Sequence, residues 1–171
     1  MVLGNRPPVN KARIQLRSSK GLQMIIFVAV KLKQIFKKQC KYRWPRPDLC
    51  PRCKASGVWG HGFVAAYFDA LPGCVMLRRY RCPQCHCVIR MRPAGYFRRF
   101  QASIQTIYGS LSLRLSQGYY LPELSRSRQR HWLKALIRNV NAYLGQRWRH
   151  LLLAGFRRLL AMGQVPVSSR I

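Results

Sequence analysis

The chain has 171 residues, enough for one ordinary domain or two small modules, and 49% of them are hydrophobic, which excludes a disordered polycation. Lys and Arg number 32 against only three Asp and Glu, so the formal net charge is +29. Internal ion pairs cannot neutralise this excess, which argues against a merely solubilising surface and favours a polyanionic partner: DNA or RNA first, an anionic membrane surface second.

Residues 1–46 are predicted to be a basic arm followed by an amphipathic segment. Residues 1–21 combine Pro, Gly and basic residues without periodicity. Residues 22–38 pass from an apolar run into a basic amphipathic one, which favours a short helix docked on the next module, with a membrane-surface helix as the alternative. The apolar run is too short to span a bilayer, and lysines rather than a cleavage site follow it. We therefore expect a cytoplasmic, soluble protein.

Two Cys-x-x-Cys pairs carry the most specific signal. They read Cys50-Pro-Arg-Cys53 and, after 28 intervening residues, Cys82-Pro-Gln-Cys85. Two thiolates separated by two residues can reach one ion from a tight turn, and a second such turn completes the tetrahedral sulfur coordination that suits zinc. The spacing predicts one Zn2+ on these four cysteines. Four sulfur ligands close the site, so its predicted role is structural.

Other readings of the seven cysteines stay open. Two disulfides or a redox Cys-x-x-Cys are the alternatives to a metal, although an odd count in close pairs and the absence of a βαβ context disfavour both. His86 and Cys87 directly follow the second pair and would have to displace Cys85 to bind metal. We expect a hydrogen-bonding neighbour and a spare thiol there, and ordinary partly buried residues at Cys40 and Cys74.

Residues 47–93 are predicted to form a zinc ribbon, a β-hairpin with a cysteine knuckle at each end. Val58 to Phe68 is rich in aromatic and β-branched residues, Asp69 to Gly73 has turn chemistry, and Cys74 to Tyr80 can return as the second strand. The first knuckle is entered through a proline-containing linker that cannot be helical.

Residues 94–163 are predicted to be helical and residues 164–171 a flexible tail. Apolar residues recur at spacings of three and four, and glycines and serines stand where helix caps are needed. The predicted helices cover Phe97 to Gly118, Ser125 or Ser127 to Gly145, and Gln146 to Met162. The expected fold is therefore small α+β, with a zinc ribbon followed by a three-helix, helix-turn-helix-like region.

The residues around the cysteine pairs resemble a known family. Asp-Leu-Cys-Pro-Arg-Cys, then Val58-Trp-Gly-His-Gly-Phe63, then Leu77-Arg-Arg-Tyr-Arg-Cys-Pro-Gln-Cys85 are similar to the zinc-ribbon and helical DNA-binding front end of bacterial insertion-sequence transposases. The resemblance covers about residues 47–145. It implies zinc on the four cysteines, a basic strand leading into the second pair, and DNA contact from a helix-turn-helix. It also implies a bacterial, nucleoid-associated location within the expected cytoplasm.

The chain departs from that family in its acidic residues. The transposases continue into a ribonuclease-H-like domain that uses three carboxylates for two-metal phosphoryl transfer. This chain has only Asp48, Asp69 and Glu123, and each has a local explanation before a knuckle, in a turn or near a helix start. We expect no enzyme activity, and an accessory protein of a mobile element, a truncated transposase or a regulator.

Nucleic-acid contacts are expected from arginines in both modules. In a helix-turn-helix the first residues of the second helix reach the base edges, and here that stretch is 125–131. Phosphate or guanine contacts are predicted for Arg126, Arg128 and Arg130, and an adenine contact for Gln129; a solvated basic helix start is the alternative. The further predicted contacts are Arg78, Arg79, Arg81, Arg98 and Arg99, with support from Arg90 and Arg92.

The leading hypothesis is thus a non-catalytic, zinc-dependent DNA-binding protein that also associates with a transposase or with itself. RNA or ribosome binding is the first alternative, because basic zinc ribbons also occur in translation proteins. A membrane-surface or protein-interaction scaffold built on residues 22–38 is the second.

Overall fold

The structure is a computed structural model that describes residues 14–15 and 23–169. The rest of the predicted basic arm and the last two residues of the predicted tail lie outside the described residues. The chain divides into two compact units between Tyr96 and Phe97, and each unit has its own apolar core. Strands dominate the first unit and helices the second, so the predicted small α+β class is confirmed.

The first unit is built on a mixed β-sheet. Its elements in chain order are β1 (Ile14–Gln15), β2 (Gln23–Val28), the helix α1 (Leu32–Lys38), β3 (Trp59–Ala66), β4 (Val75–Arg81) and β5 (Val88–Pro93). The strand order is β1-β2-β5-β4-β3, with β2 parallel to β5 and the other neighbours antiparallel. Strand β3 is therefore an edge strand, with β4 next to it. The first cysteine pair precedes β3 in the chain, and the second pair follows β4.

Strand β2 corrects the prediction for the N-terminal segment. Residues 23–28 are extended rather than helical, and only residues 32–38 form a helix. Met24 and Ile26 lie opposite Ile89 and Met91 of β5, and all four side chains are buried in the core of the first unit. A short apolar run does not distinguish strand from helix, and pairing with a distant strand decided the outcome. The membrane-surface helix is wrong for this strand, in which Met24, Ile25, Ile26 and Val28 have buried side chains.

The same pairing corrects the predicted domain boundaries. A separate segment 1–46 preceding a ribbon 47–93 requires few contacts between the two. Instead β2, from the first of these ranges, is hydrogen-bonded along its whole length to β5, from the second. The sheet therefore joins them into one folding unit.

Strands β3 and β4 form the predicted hairpin, and it contains a β-bulge. The register shifts between Gly60, opposite Tyr80, and Phe63, opposite Arg78. Gly62 lies inside the bulge with φ 71°, a conformation that glycine adopts at little cost. The His-Gly pair in the transposase-like pattern thus marks the bend of strand β3.

The second unit contains three helices, α2 (Ile104–Gln117), α3 (Arg126–Leu144) and α4 (Leu152–Ala161). Helix α2 begins later than predicted, because the Oγ of Ser103 caps it by accepting from the N–H of Thr106 at 2.9 Å. Phe97 and Phe100 precede the helix and pack edge to face against each other in the core. Gly118 ends α2 in the left-handed conformation, as its sequence position predicted.

The C-terminal part of the second unit differs from the prediction in two ways. Residues 146–148 form a 3-10 turn, so the third helix is shorter than expected. The described residues 165–168 are not a flexible tail: Val167 is fully buried, and the side-chain amide of Asn139 donates to the carbonyls of Pro166 at 2.8 Å and Ser168 at 3.1 Å. A polar residue inside α3 therefore anchors this segment.

Candidate metal centre and basic surfaces

Four cysteine sulfurs converge beside the ends of the β3–β4 hairpin. The Sγ atoms of Cys50, Cys53, Cys82 and Cys85 all lie within 4.8 Å of one another. The Cys50–Cys85 and Cys53–Cys82 Sγ pairs are 3.6 Å and 3.5 Å apart. Sulfurs bound at about 2.3 Å to one tetrahedral ion would be about 3.8 Å apart. These four predicted ligand residues, the metal group, can therefore hold a metal ion.

The two knuckles share one backbone geometry. The residue after the second cysteine of each pair, Lys54 or His86, has a positive φ, 63° and 54° respectively. The N–H of Cys50 donates to the carbonyl of Ala55 at 2.8 Å, and that of Cys82 to the carbonyl of Cys87 at 3.1 Å. The left-handed residue turns each strand back, which directs both thiols of a pair toward the same point. His86 has an exposed side chain and contributes through its backbone.

The thiols of the group have unequal proton affinities. Burial raises the pKa of Cys50, but the N–H groups of Cys53 and Arg52 and the neighbouring thiols outweigh burial and lower it to about 6. A backbone N–H lowers the pKa of Cys53, but desolvation and the sulfurs of its neighbours prevail and raise it to about 11. Thiolates this close together repel one another, so few of the four can be negatively charged at the same time. A bound dication would supply the compensating positive charge.

Cys87 is the predicted spare thiol, and it lies against the metal group. It is fully buried, and its Sγ is 3.4 Å from the Sγ of Cys50. Burial raises its pKa, which keeps it a thiol. A protonated Cys87 can donate an S–H hydrogen bond to the thiolate of Cys50. This places it beside a ligand, where it can orient that ligand without binding the ion itself.

We predict that Cys87→Ser retains one metal ion per chain. The serine hydroxyl can still donate to Cys50, so metal affinity should fall by about tenfold at most. Cys85→Ser removes a ligand and should abolish stoichiometric binding. The measurement is native mass spectrometry with a competing chelator. Equal loss of metal in both variants would make Cys87 a ligand and contradict this assignment.

Strand β4 carries three of the predicted nucleic-acid contacts, and all three are half-buried: Arg78, Arg79 and Arg81. The guanidinium carbon of Arg78 is 4.6 Å from the ring centroid of Phe63. The guanidinium of Arg79 lies beside Gly62, where an added Cβ would be 3.6 Å from Nη2. The strand ends at Arg81, immediately before the ligand Cys82, so the metal group and these arginines belong to one continuous segment.

The start of α3 carries three more predicted contacts, Arg126, Arg128 and Arg130, of which the first and last are exposed. The Nε of Arg130 donates to the hydroxyl of Tyr120 at 3.3 Å, and the guanidinium carbon of Arg114 stands 4.5 Å from the centroid of the same ring. The hydrogen bond from Arg130 and the nearby positive charges lower the pKa of Tyr120. Arg114 was not predicted as a contact from the sequence, because only folding brings the end of α2 close to the start of α3.

Gln129 is the one predicted base contact that the structure contradicts. Its side chain is only 2% exposed. Its Oε1 accepts from Ser110 Oγ at 2.7 Å and from the N–H of Leu121 at 2.9 Å. Its Nε2 donates to the carbonyls of Leu121 and Leu124 at 2.8 and 2.9 Å. Every polar group of this amide is used inside the protein, so Gln129 organises the loop before α3 and cannot reach an adenine.

The remaining predicted contacts are on strand β5 or in the stretch of chain that precedes α2. Arg98 is half-buried, and Arg99 is exposed with a φ of 68°. Strand β5 carries Arg90, which is half-buried, and Arg92, which is buried with its guanidinium carbon 5.1 Å from the ring centroid of Phe68.

No family model, curated protein or solved structure matches this chain. Among the described residues, none of the helices is long and apolar enough to cross a membrane.

Proposed function

We propose that this protein is a non-catalytic DNA-binding protein whose first unit is a zinc ribbon stabilised by one Zn2+. One observation carries the proposal: a strand rich in arginine leads directly into the second cysteine pair of the metal group. Strand β4 presents Arg78, Arg79 and Arg81 and runs straight into Cys82. An ion bound there would hold that strand in a fixed position against β3, and the strand would hold its arginines in a fixed array.

Zinc is the metal that the donor set favours. Four thiolates are soft ligands, and the Cys50–Cys85 and Cys53–Cys82 Sγ distances of 3.6 and 3.5 Å are close to the spacing expected around one tetrahedral ion. Four sulfur ligands would complete the tetrahedral coordination of the ion, which leaves no position on it for a substrate or an activated water. The ion would therefore act through folding stability and would supply no Lewis-acid chemistry.

DNA is the partner that the basic residues favour. Arginine pairs bidentately with phosphate and guanine, and the described helical unit contains arginines where a helix-turn-helix would contact DNA. In this proposal α2 and α3 are the two helices of that motif, and Arg126, Arg128 and Arg130 at the start of α3 reach phosphates or guanine. Gln129 has the supporting role of fixing the loop between the helices. A transposase accessory, a truncated transposase or a regulator all fit this description.

The proposal predicts metal-dependent and strongly salt-dependent binding. The test measures fluorescence anisotropy of labelled duplex DNA, a structured RNA of matched length and anionic vesicles, from about 50 to 200 mM salt, with metal-loaded and metal-stripped protein. We expect duplex affinity to fall by at least about a hundredfold over that range, as expected for several phosphate contacts. Metal removal should weaken the remaining binding further.

The outcomes separate the functional classes. Tighter binding to RNA than to duplex DNA at every salt concentration would replace DNA by RNA as the partner. Binding to vesicles alone would refute nucleic-acid recognition. A duplex affinity that is unchanged by metal removal would show that the ribbon does not take part in binding.

A further inference from the structure

Two neighbouring residues of α3 hold the loop between α2 and α3. Gln129 holds the loop backbone from inside, through the N–H and the carbonyl of Leu121. Arg130 follows Gln129 but is exposed, and its Nε donates to the hydroxyl of Tyr120 at 3.3 Å. Because Tyr120 directly precedes Leu121, the start of α3 holds both the backbone of the loop and the phenol beside it.

The end of α2 supports the same phenol. The guanidinium carbon of Arg114 is 4.5 Å from the ring centroid of Tyr120, and Nη1 of Arg114 donates to the carbonyl of Gly118, the cap of α2. Arg114 therefore ties the ring to the end of α2, and Arg130 ties the hydroxyl to the start of α3. Both of these hydrogen bonds are exposed, so a ligand from solvent can reach the phenol and the guanidinium of Arg130.

The hydroxyl of Tyr120 and the guanidinium of Arg130 have unused donors. The hydroxyl accepts from Nε, which leaves its own proton for another acceptor, and Arg130 keeps the N–H groups of both Nη nitrogens. Within residues 97–169 no acceptor takes up these donors. The hydrogen bond from Arg130, with the charges of nearby arginines, lowers the pKa of Tyr120. The positive field that favours a phenolate there would favour a bound anion in the same way.

Carboxylates of the protein do not neutralise this group of donors. The second unit contains one acidic residue, Glu123, and no ion pair joins it to Arg114 or Arg130 in the described part of the chain. Arg126 is exposed and stands four residues before Arg130 on α3, so the two lie on the same face of the helix. An anion with several acceptor oxygens is the ligand that these donors and charges fit.

We propose that Tyr120 and Arg130 together bind one backbone phosphate of the nucleic acid. This inference rests on the proposed function, and it assigns Arg130 to phosphate where that function allows phosphate or guanine. The O–H of Tyr120 donates to one phosphate oxygen and an Nη of Arg130 to another, while Nε stays bonded to the hydroxyl. Because every step of the backbone carries the same phosphate, this contact positions the protein and carries no sequence information.

The experiment uses the full-length, metal-loaded chain and measures its affinity for several duplex DNA sequences over a range of salt concentrations. The variants are Tyr120→Phe, which removes only the hydroxyl, Arg130→Gln, and their double. Tyr119→Phe is the matched control, because the neighbouring Tyr119 is 69% exposed and its hydroxyl has no partner among the described residues. Tyr120→Phe should weaken binding by about three- to tenfold on every sequence, and Tyr119→Phe by less than about twofold.

Salt dependence and thermal unfolding separate the roles of the two groups. Arg130→Gln removes a charge, so the slope of log affinity against log salt should decrease by about one, whereas Tyr120→Phe should leave that slope unchanged. In the double variant, loss of the hydroxyl should cost less than about twofold beyond Arg130→Gln, because both groups hold one phosphate. Tyr120→Phe should shift the Tm of the free protein by less than about 3 °C, because the hydroxyl takes part only in an exposed hydrogen bond.

Several outcomes would overturn the shared phosphate contact. Tyr120→Phe might bind exactly as strongly as Tyr119→Phe, or lose affinity for some sequences only, or add its full effect to that of Arg130→Gln in the double variant. A weaker affinity that comes with a large drop in Tm would make Tyr120 a structural residue of the loop. A wild-type chain that fails to bind duplex DNA refutes the proposed function instead, so the two failures are distinguishable.

Discussion

Removing the proposed zinc ion is expected to unfold the first unit while the second unit keeps its helices. The apparent free energy of structural zinc binding is on the order of 10 kcal/mol, comparable to the whole stability of a small domain. Cys50 and Cys82 are themselves part of the first core, so loss of the ion leaves charged or protonating sulfurs inside it. The second unit has a separate core and no member of the cysteine group.

Hydrogen exchange followed by mass spectrometry measures this prediction region by region. After chelation, amide protection should fall to that of an unfolded chain in strands β2 to β5 and stay high in helices α2 to α4. Cys50→Ser should reproduce the effect without a chelator. Cys40→Ser is the matched control, because Cys40 is exposed and outside the metal group, and it should keep both metal and protection. Metal-free protein with protected β strands would refute the structural role of the ion.

Gln129→Ala is expected to destabilise the second unit by about 3 kcal/mol. The substitution leaves the buried hydroxyl of Ser110, the N–H of Leu121 and the carbonyls of Leu121 and Leu124 without their partner. All four hydrogen bonds are of normal length, and they are lost together because one side chain makes all of them. The measurement is chemical denaturation followed by the helical circular dichroism signal.

An exposed glutamine supplies the control for this prediction. Gln105→Ala replaces an exposed glutamine of α2 with a better helix former and should change stability by less than about 0.5 kcal/mol. If Gln129→Ala instead altered only the base preference of DNA binding and left stability unchanged, Gln129 would be a recognition residue after all, and the buried network would be wrong.

The metal group was predictable because its signal is local. Two residues between cysteines constrain each pair to one turn, and a hairpin of ordinary length is enough to bring the pairs together. Cap positions such as Gly118 are predictable for a similar reason: a helix end needs a left-handed residue, and glycine adopts that conformation at low cost. In both cases the requirement and the residue lie within a few positions of each other.

The sequence alone thus determined which four cysteines form the group that can hold a metal ion, the α+β class and the excess of positive charge. Only the tertiary structure decided that residues 23–28 are a strand, because a short apolar run takes its conformation from its partner, here β5. The burial of Gln129 was likewise decided by elements that are distant in sequence. Whether a polar side chain is exposed to a partner or buried in an internal hydrogen-bond network depends on the residues that pack around it. Those residues come from distant parts of the chain, so the sequence near the side chain does not reveal them.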